Sequence, residues 1–122
     1  MKKAMLALLV VMLIILTVTA CGGGGSARDE RTITDFLQAF EDNGFDTSDR
    51  QTPFFQMIGA NDGMQFIIDG QFHTIYSFAG TSELEQAFAD HPFMETQGWI
   101  TNGRFVIETN STEIGEFFRT IE

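Results

Sequence analysis

Two dipeptides, Asp69-Gly70 and Asn102-Gly103, constrain this chain more than any other feature, because each stands between two apolar runs. A two-residue hairpin turn needs positive φ at its central positions, and Asp-Gly and Asn-Gly tolerate that best. Each dipeptide therefore folds the chain back into an antiparallel pair. Met64 to Ile68 and Gln71 to Phe78 flank the first, while Trp99 to Thr101 and Arg104 to Thr109 flank the second. Phe54 to Ala60, set off by Asn61-Asp62-Gly63, is expected as a further strand, which makes the first hairpin a three-stranded meander. Met64, Phe66 and Ile68 alternate to one face and Gln65 to the other, but Ile67 breaks the polarity, so partial cover is expected on both faces.

Helical spacing supplies that cover. Ile33, Phe36, Leu37 and Phe40 fall at i, i+3, i+4 and i+7, with Thr32 and Asp35 as a capping-box start and Gly44 as the stop. The same stripe recurs as Ile114, Phe117, Phe118 and Ile121, opened by Asn110 with Glu113. A third helix is expected from Ser82, with Glu85 in capping-box position, ending before Pro92. The order α-β-β-β-α-β-β-α defines an α+β domain over residues 32–122, three helices on a mainly antiparallel sheet of about five strands. The Asp69-Gly70 and Asn102-Gly103 hairpin-helix units echo each other, but two unequal copies fall short of a repeat array.

The start of the chain follows other rules. Lys2 and Lys3 precede an unbroken apolar stretch from Ala4 to Leu16, 13 residues long. That is shorter than the ~20 residues a spanning helix needs, and it matches the core of an export signal. Val18-Thr19-Ala20-Cys21 follows, a branched residue and two small ones before the only cysteine of the chain. This segment resembles the lipobox of bacterial lipoproteins, with Val18 where leucine is usual. The resemblance implies a signal peptide over 1–20, cleavage between Ala20 and Cys21, and diacylglycerol and further acyl chains such as palmitate on the Cys21 sulfur. It also implies a protein held on the cell membrane, facing outside the cytoplasm; two or more chains give stable anchoring. Gly22 to Ser26 has linker composition, and a flexible 21–31 would reach roughly 18 Å. The rest of the chain is similar to small Gram-positive lipoproteins in Phe55 to Ala60, Asp62-Gly63 and Asn102-Gly103-Arg104-Phe105-Val106 before a terminal Phe-Phe helix. That likeness implies a location and a fold but no activity.

Composition then excludes several classes of function. Both lysines fall within the signal, so the remainder carries five arginines against 17 acids. Phosphate binding rests on Lys and Arg, so no nucleic-acid partner is expected, and contact with anionic lipid should come through the anchor alone. The acidic surface would instead draw a cationic ligand or a basic face of an envelope protein, or serve only solubility. With one cysteine no internal disulfide forms, and the fold must stand on its Phe-rich packing.

No catalytic set stands out, and no cofactor is expected. His73 and His91 lie in different elements, His73 on a strand face with Gln71, Ile75 and Ser77, and His91 in the last turn of its helix. Ser77, Ser82 and Ser111 are available, but none occupies a G-x-S-x-G elbow, and the glycines at 22–25 lack the flanking pattern of a phosphate loop. Asp42 to Asp49 is rich in oxygen ligands, yet with Asp42 first Gly44 stands at the third position, so no EF-hand frame fits and a polar turn is expected. Trp99, the only tryptophan, is expected in the core, with a contact anchor as the alternative. The expected role is that of a small acidic binding or accessory domain, with a receptor for a small ligand or calcium as the alternative.

Overall fold

A computed structural model describes residues 29–122. In chain order the elements are α1 (Ile33–Asp42), β1 (Arg50–Gln51), a 3-10 turn (Phe55–Ile58), β2 (Asp62–Ile68), β3 (Gln71–Ser77), α2 (Thr81–Asp90), α3 (Phe93–Thr96), β4 (Ile100–Asn102), β5 (Phe105–Glu108) and α4 (Thr112–Thr120). The strands form one sheet, ordered β1-β2-β3-β5-β4, with every neighbouring pair antiparallel. This is the expected α+β architecture with one extra short helix.

Local chemistry sets the element ends. The Thr32 hydroxyl accepts from the Asp35 N–H at 3.3 Å, and the Asp35 carboxylate accepts from the Thr32 N–H at 2.8 Å, a complete capping box for α1. Asp69 and Gly70 both have positive φ, 52° and 78°, and join Ile68 to its partner Gln71. In the second hairpin Asn102 pairs with Phe105, so the turn residues are Gly103 and Arg104 and the centre lies one residue later than expected. Ser111, not Asn110, caps α4 by accepting from the Ile114 N–H at 3.2 Å. Likewise α2 starts at Thr81 from Gly80, without the Ser82 cap, and His91 lies just past its end.

One expected strand is absent. Within Phe54 to Ala60, Phe55–Ile58 form the 3-10 turn, Gly59 closes it with a left-handed φ of 78°, and only Ile58 within the turn is buried, so the run lacks the one buried face a paired strand would present. Arg50 and Gln51 take the edge position instead, opposite Phe66 and Gln65.

Strand alternation divides the apolar side chains between two layers. On one face Phe66, Ile68, Ile75, Phe105 and Ile107 pack against α1 and α4. The Phe36 ring lies 4.5 Å from Phe105 and 5.1 Å from Phe118, and the Phe40 ring 4.9 Å from Phe117, contacts worth about 0.5–1.5 kcal/mol each beyond area burial. A side chain at Gly115 would collide with Ile100, which is how α4 comes so close to β4. On the other face Tyr76, Phe78 and Val106 pack under the 3-10 turn, α2 and α3, with Leu84, Met94 and Trp99. That cover stops short. The same face continues through Thr74 to the Ile67–Phe72 pair at the Asp69-Gly70 end, where Phe72 is 57% exposed.

Candidate functional site

The expected lipidation and cleavage residues, Cys21 and Ala20, lie outside the described residues. The described chain begins at Asp29, and Asp29 to Arg31 are fastened to the domain. Arg104 donates to the carbonyls of Asp29, Arg31 and Phe78 at 2.8, 2.7 and 2.8 Å. Arg31 grips both carboxylate oxygens of Asp29, at 2.7 and 2.6 Å, and donates to Asn102 Oδ1 at 3.0 Å and the Ile121 carbonyl at 3.1 Å. Its guanidinium lies 4.8 Å from the centre of the Phe36 ring, and that of Arg104 lies 4.5 Å from Phe105. The bond from Arg31 holds the Asp29 carboxyl below its ordinary range, and Asp29 in turn raises Arg31. Gly103 has a φ of 61°, and a side chain there would strike the Asp29 carboxylate. The chain therefore enters the domain at the β4–β5 turn.

At the other end of β5 the sheet face left open by α3 forms a pocket of about 330 Å³, lined by Phe72, Gln97, Trp99, Glu108, Thr109 and Asn110. Strand register builds it. Thr74 pairs with Glu108, so the Glu108 side chain shares a face with Tyr76 and Phe72. Trp99 stacks on Tyr76, with ring centres 5.5 Å apart and planes 6° from parallel, and Phe93 meets Trp99 edge-on at 5.6 Å. Trp99 is thus a core residue, as expected, and also presents an edge to the pocket. Glu108 is half-buried, and that burial alone pushes its carboxyl above the ordinary carboxylate range. Burial first, and then the charge of Glu108, push the Tyr76 phenol upward. Among the described residues Glu108 has no ion-pair partner. The arginine ion pairs run from Arg31 to Asp29, Arg50 to Glu41 and Arg119 to Glu116.

The two histidines lie apart. His73 is buried to 1% exposure against Phe66, on the strand face that it shares with Ile75. Its Nδ1 lies 2.7 Å from the Thr109 hydroxyl, and that oxygen also accepts from the Ser111 N–H at 3.0 Å. The Nε2 has no hydrogen-bond partner among the described residues. Burial pushes the ring below its ordinary value, opposed in part by the Ile68 backbone. His91 follows α2, its N–H donating to the Ala87 carbonyl at 2.8 Å and its ring 5.8 Å from Phe93. Ser77, Ser82 and Ser111 sit respectively at the end of β3, within α2 and at the cap of α4, and the Ser111 oxygen is occupied as that cap.

The acidic turn after α1 is internally bonded. Asp46 Oδ1 accepts from the Ser48 N–H at 3.0 Å and its hydroxyl at 2.6 Å, which holds the Asp46 carboxyl below its ordinary range. Glu41 accepts from Thr47 at 2.9 Å and from Arg50 at 3.2 Å. Among the described residues no three His, Cys, Asp or Glu side chains come together as a metal cluster, and no helix is long and apolar enough to cross a membrane.

The pocket was not visible in the sequence as a unit. Trp99 drew attention as a single aromatic, but nothing in the sequence joins it to Glu108 and Phe72. No protein-family model, curated protein or solved structure matches the chain.

Proposed function

We propose that the protein is a lipid-anchored extracytoplasmic binding domain, held on the cell membrane through Cys21 and acting on a cationic ligand or an envelope protein without catalysis of its own. The observation that carries the reading is Val18-Thr19-Ala20-Cys21 directly after a charged start and a 13-residue apolar core. The pinned entry of the chain supports it mechanically. Seven residues separate Cys21 from Asp29, so an anchored sulfur lies at most about 28 Å from the β4–β5 turn. That end of the sheet would then face the lipid, and the Glu108 pocket would open toward the other end.

Two measurements test this. Mass spectrometry of the protein from its native host should find Cys21 as an acylated N-terminus, and a Cys21→Ser variant should leave the membrane fraction. An unmodified thiol at Cys21, or a serine variant that still sediments with membranes, would overturn the anchored reading. The alternative, a small-ligand receptor, is supported by the pocket at Glu108; for calcium in particular, the bonds within the Asp42 to Asp49 turn already occupy Asp46.

A further inference from the structure

We infer that the pocket between β5 and the Trp99 segment binds a small organic cation, an alkylammonium or guanidinium head, with Glu108 as its counter-ion and Trp99 and Phe72 as its apolar walls. The inference deepens the binding reading above and does not depend on the anchor. Three observations converge on it. Glu108 is a half-buried carboxylate with no ion-pair partner among the described residues, although burying an unpaired charge is costly. Two aromatic side chains stand among the polar groups that line the pocket with it, Trp99, which stacks on Tyr76, and Phe72, which leaves more than half of its surface to solvent. The volume, about 330 Å³, falls at the lower end of the range for small-ligand sites.

These features select among cations. A metal ion asks for several oxygen ligands, most of them charged, whereas this lining offers one carboxylate beside the neutral Gln97, Asn110 and Thr109, whose hydroxyl is already bonded to His73 and the Ser111 N–H. An organic cation is weakly hydrated, can lay its alkyl groups against Trp99 and Phe72, and needs only one counter-charge, which Glu108 supplies. A neutral ligand would leave Glu108 unpaired and further desolvated. The excess of acids over arginines adds a long-range attraction for any cation, so selectivity has to come from the aromatic walls and Glu108.

Trp99 is the only tryptophan in the chain, so its fluorescence reports the pocket directly. The full-length protein in detergent is titrated with choline and with methylguanidinium, and in parallel with sodium chloride, calcium chloride and 3,3-dimethylbutanol, the uncharged shape-mimic of choline. A saturable change is expected with at least one organic cation and with none of the three controls. Glu108→Gln should weaken that binding about tenfold or more, which is the effect of losing one desolvated counter-charge. Phe72→Ala should weaken it severalfold, and Glu85→Gln, which removes the same charge elsewhere, should leave it unchanged. Circular dichroism of each variant confirms the fold. Absence of saturation with both organic cations, an equal response to calcium or to the neutral alcohol, or unchanged binding in a folded Glu108→Gln variant would overturn the inference. None of these outcomes bears on acylation of Cys21, so failure of the site and failure of the anchor remain distinct.

Discussion

Arg104 and Asp29 are joined by a hydrogen bond of 2.8 Å from the guanidinium Nε to the backbone carbonyl, across 75 residues of sequence. The bond is made to main chain, so it fixes the path of the polypeptide where it enters the domain and is indifferent to the side chain there. Together with the bonds to the Arg31 and Phe78 carbonyls it turns the tip of the β4–β5 hairpin into the point where any pull on the N-terminal side is received.

Arg104→Ala should therefore loosen the entry segment more than the sheet. Three charge-assisted bonds to part-buried carbonyls disappear, an expected loss of about 1–3 kcal/mol of stability in urea unfolding. The folded domain contains no lysine, so trypsin can cut only at its arginines. Cleavage after Arg31 should become the first event in Arg104→Ala, whereas Arg119→Ala, whose exposed ion pair to Glu116 spans 3.5 Å, should change stability by less than about 0.5 kcal/mol.

The two kinds of phenylalanine should respond very unequally to truncation. Phe118 is fully buried and stacks on Phe36, so Phe118→Ala leaves a cavity between α4 and the sheet and should cost about 3–5 kcal/mol. Phe72 is 57% exposed and lies outside both apolar clusters, so Phe72→Ala should cost well under about 1 kcal/mol in the same urea titration. A large loss at Phe72 would mean that the open end of the sheet is packed in solution.

His73 gives the domain an acid-sensitive core. Burial lowers the folded ring below its ordinary value of 6.5, so the unfolded chain binds the proton first as pH falls. The stability is fully present above that value and is lost as pH drops from there toward the lower folded pKa, where it levels off. His73→Leu removes the titration but also the bond to Thr109. The variant should be less stable at pH 8, and the gap to the natural protein should narrow as pH falls below 6.5, measured as the thermal midpoint at each pH. A gap that stays constant would show that the ring is not protonated on unfolding.

What the sequence revealed follows the range of the forces involved. Helices α1 and α4 were legible because their stripes repeat at 3.6 residues, and the α1 cap because Thr32 and Asp35 lie three residues apart, whereas the α4 cap falls on Ser111, one residue after the Asn110 that the sequence suggests. The Asp69-Gly70 hairpin was legible for the same reason, since positive φ at both residues is a local demand. Phe54 to Ala60 differs from the expected strand because an apolar run without periodicity does not distinguish a strand from a tight turn, and Gly59, which closes the turn, reads equally well as the end of either. The pocket was beyond reach. Phe72 and Glu108 stand 36 positions apart and line one pocket only because β3 pairs with β5, and Gln97 and Trp99 join them from a third stretch of the chain.

Glu108 should oppose stability and binding to one another. Its folded carboxyl holds a proton to higher pH than the ordinary value of 4.5, so between that value and the folded pKa the folded state binds more protons than the unfolded one. Stability therefore declines as pH rises through that window, as the buried group takes up its charge. Glu108→Gln keeps the shape of the side chain and removes the charge. The variant should unfold at a higher urea concentration than the natural protein at pH 7 and at the same concentration at pH 4, where both side chains are neutral. Choline or methylguanidinium, whichever saturates the pocket, should narrow the gap at pH 7 by stabilising the natural protein more than the variant, because a ligand that binds the folded state shifts unfolding by mass action in proportion to its affinity. A Glu108→Gln variant equally stable at both pH values would show that the carboxylate is solvated and leaves no unpaired charge for a cation to satisfy.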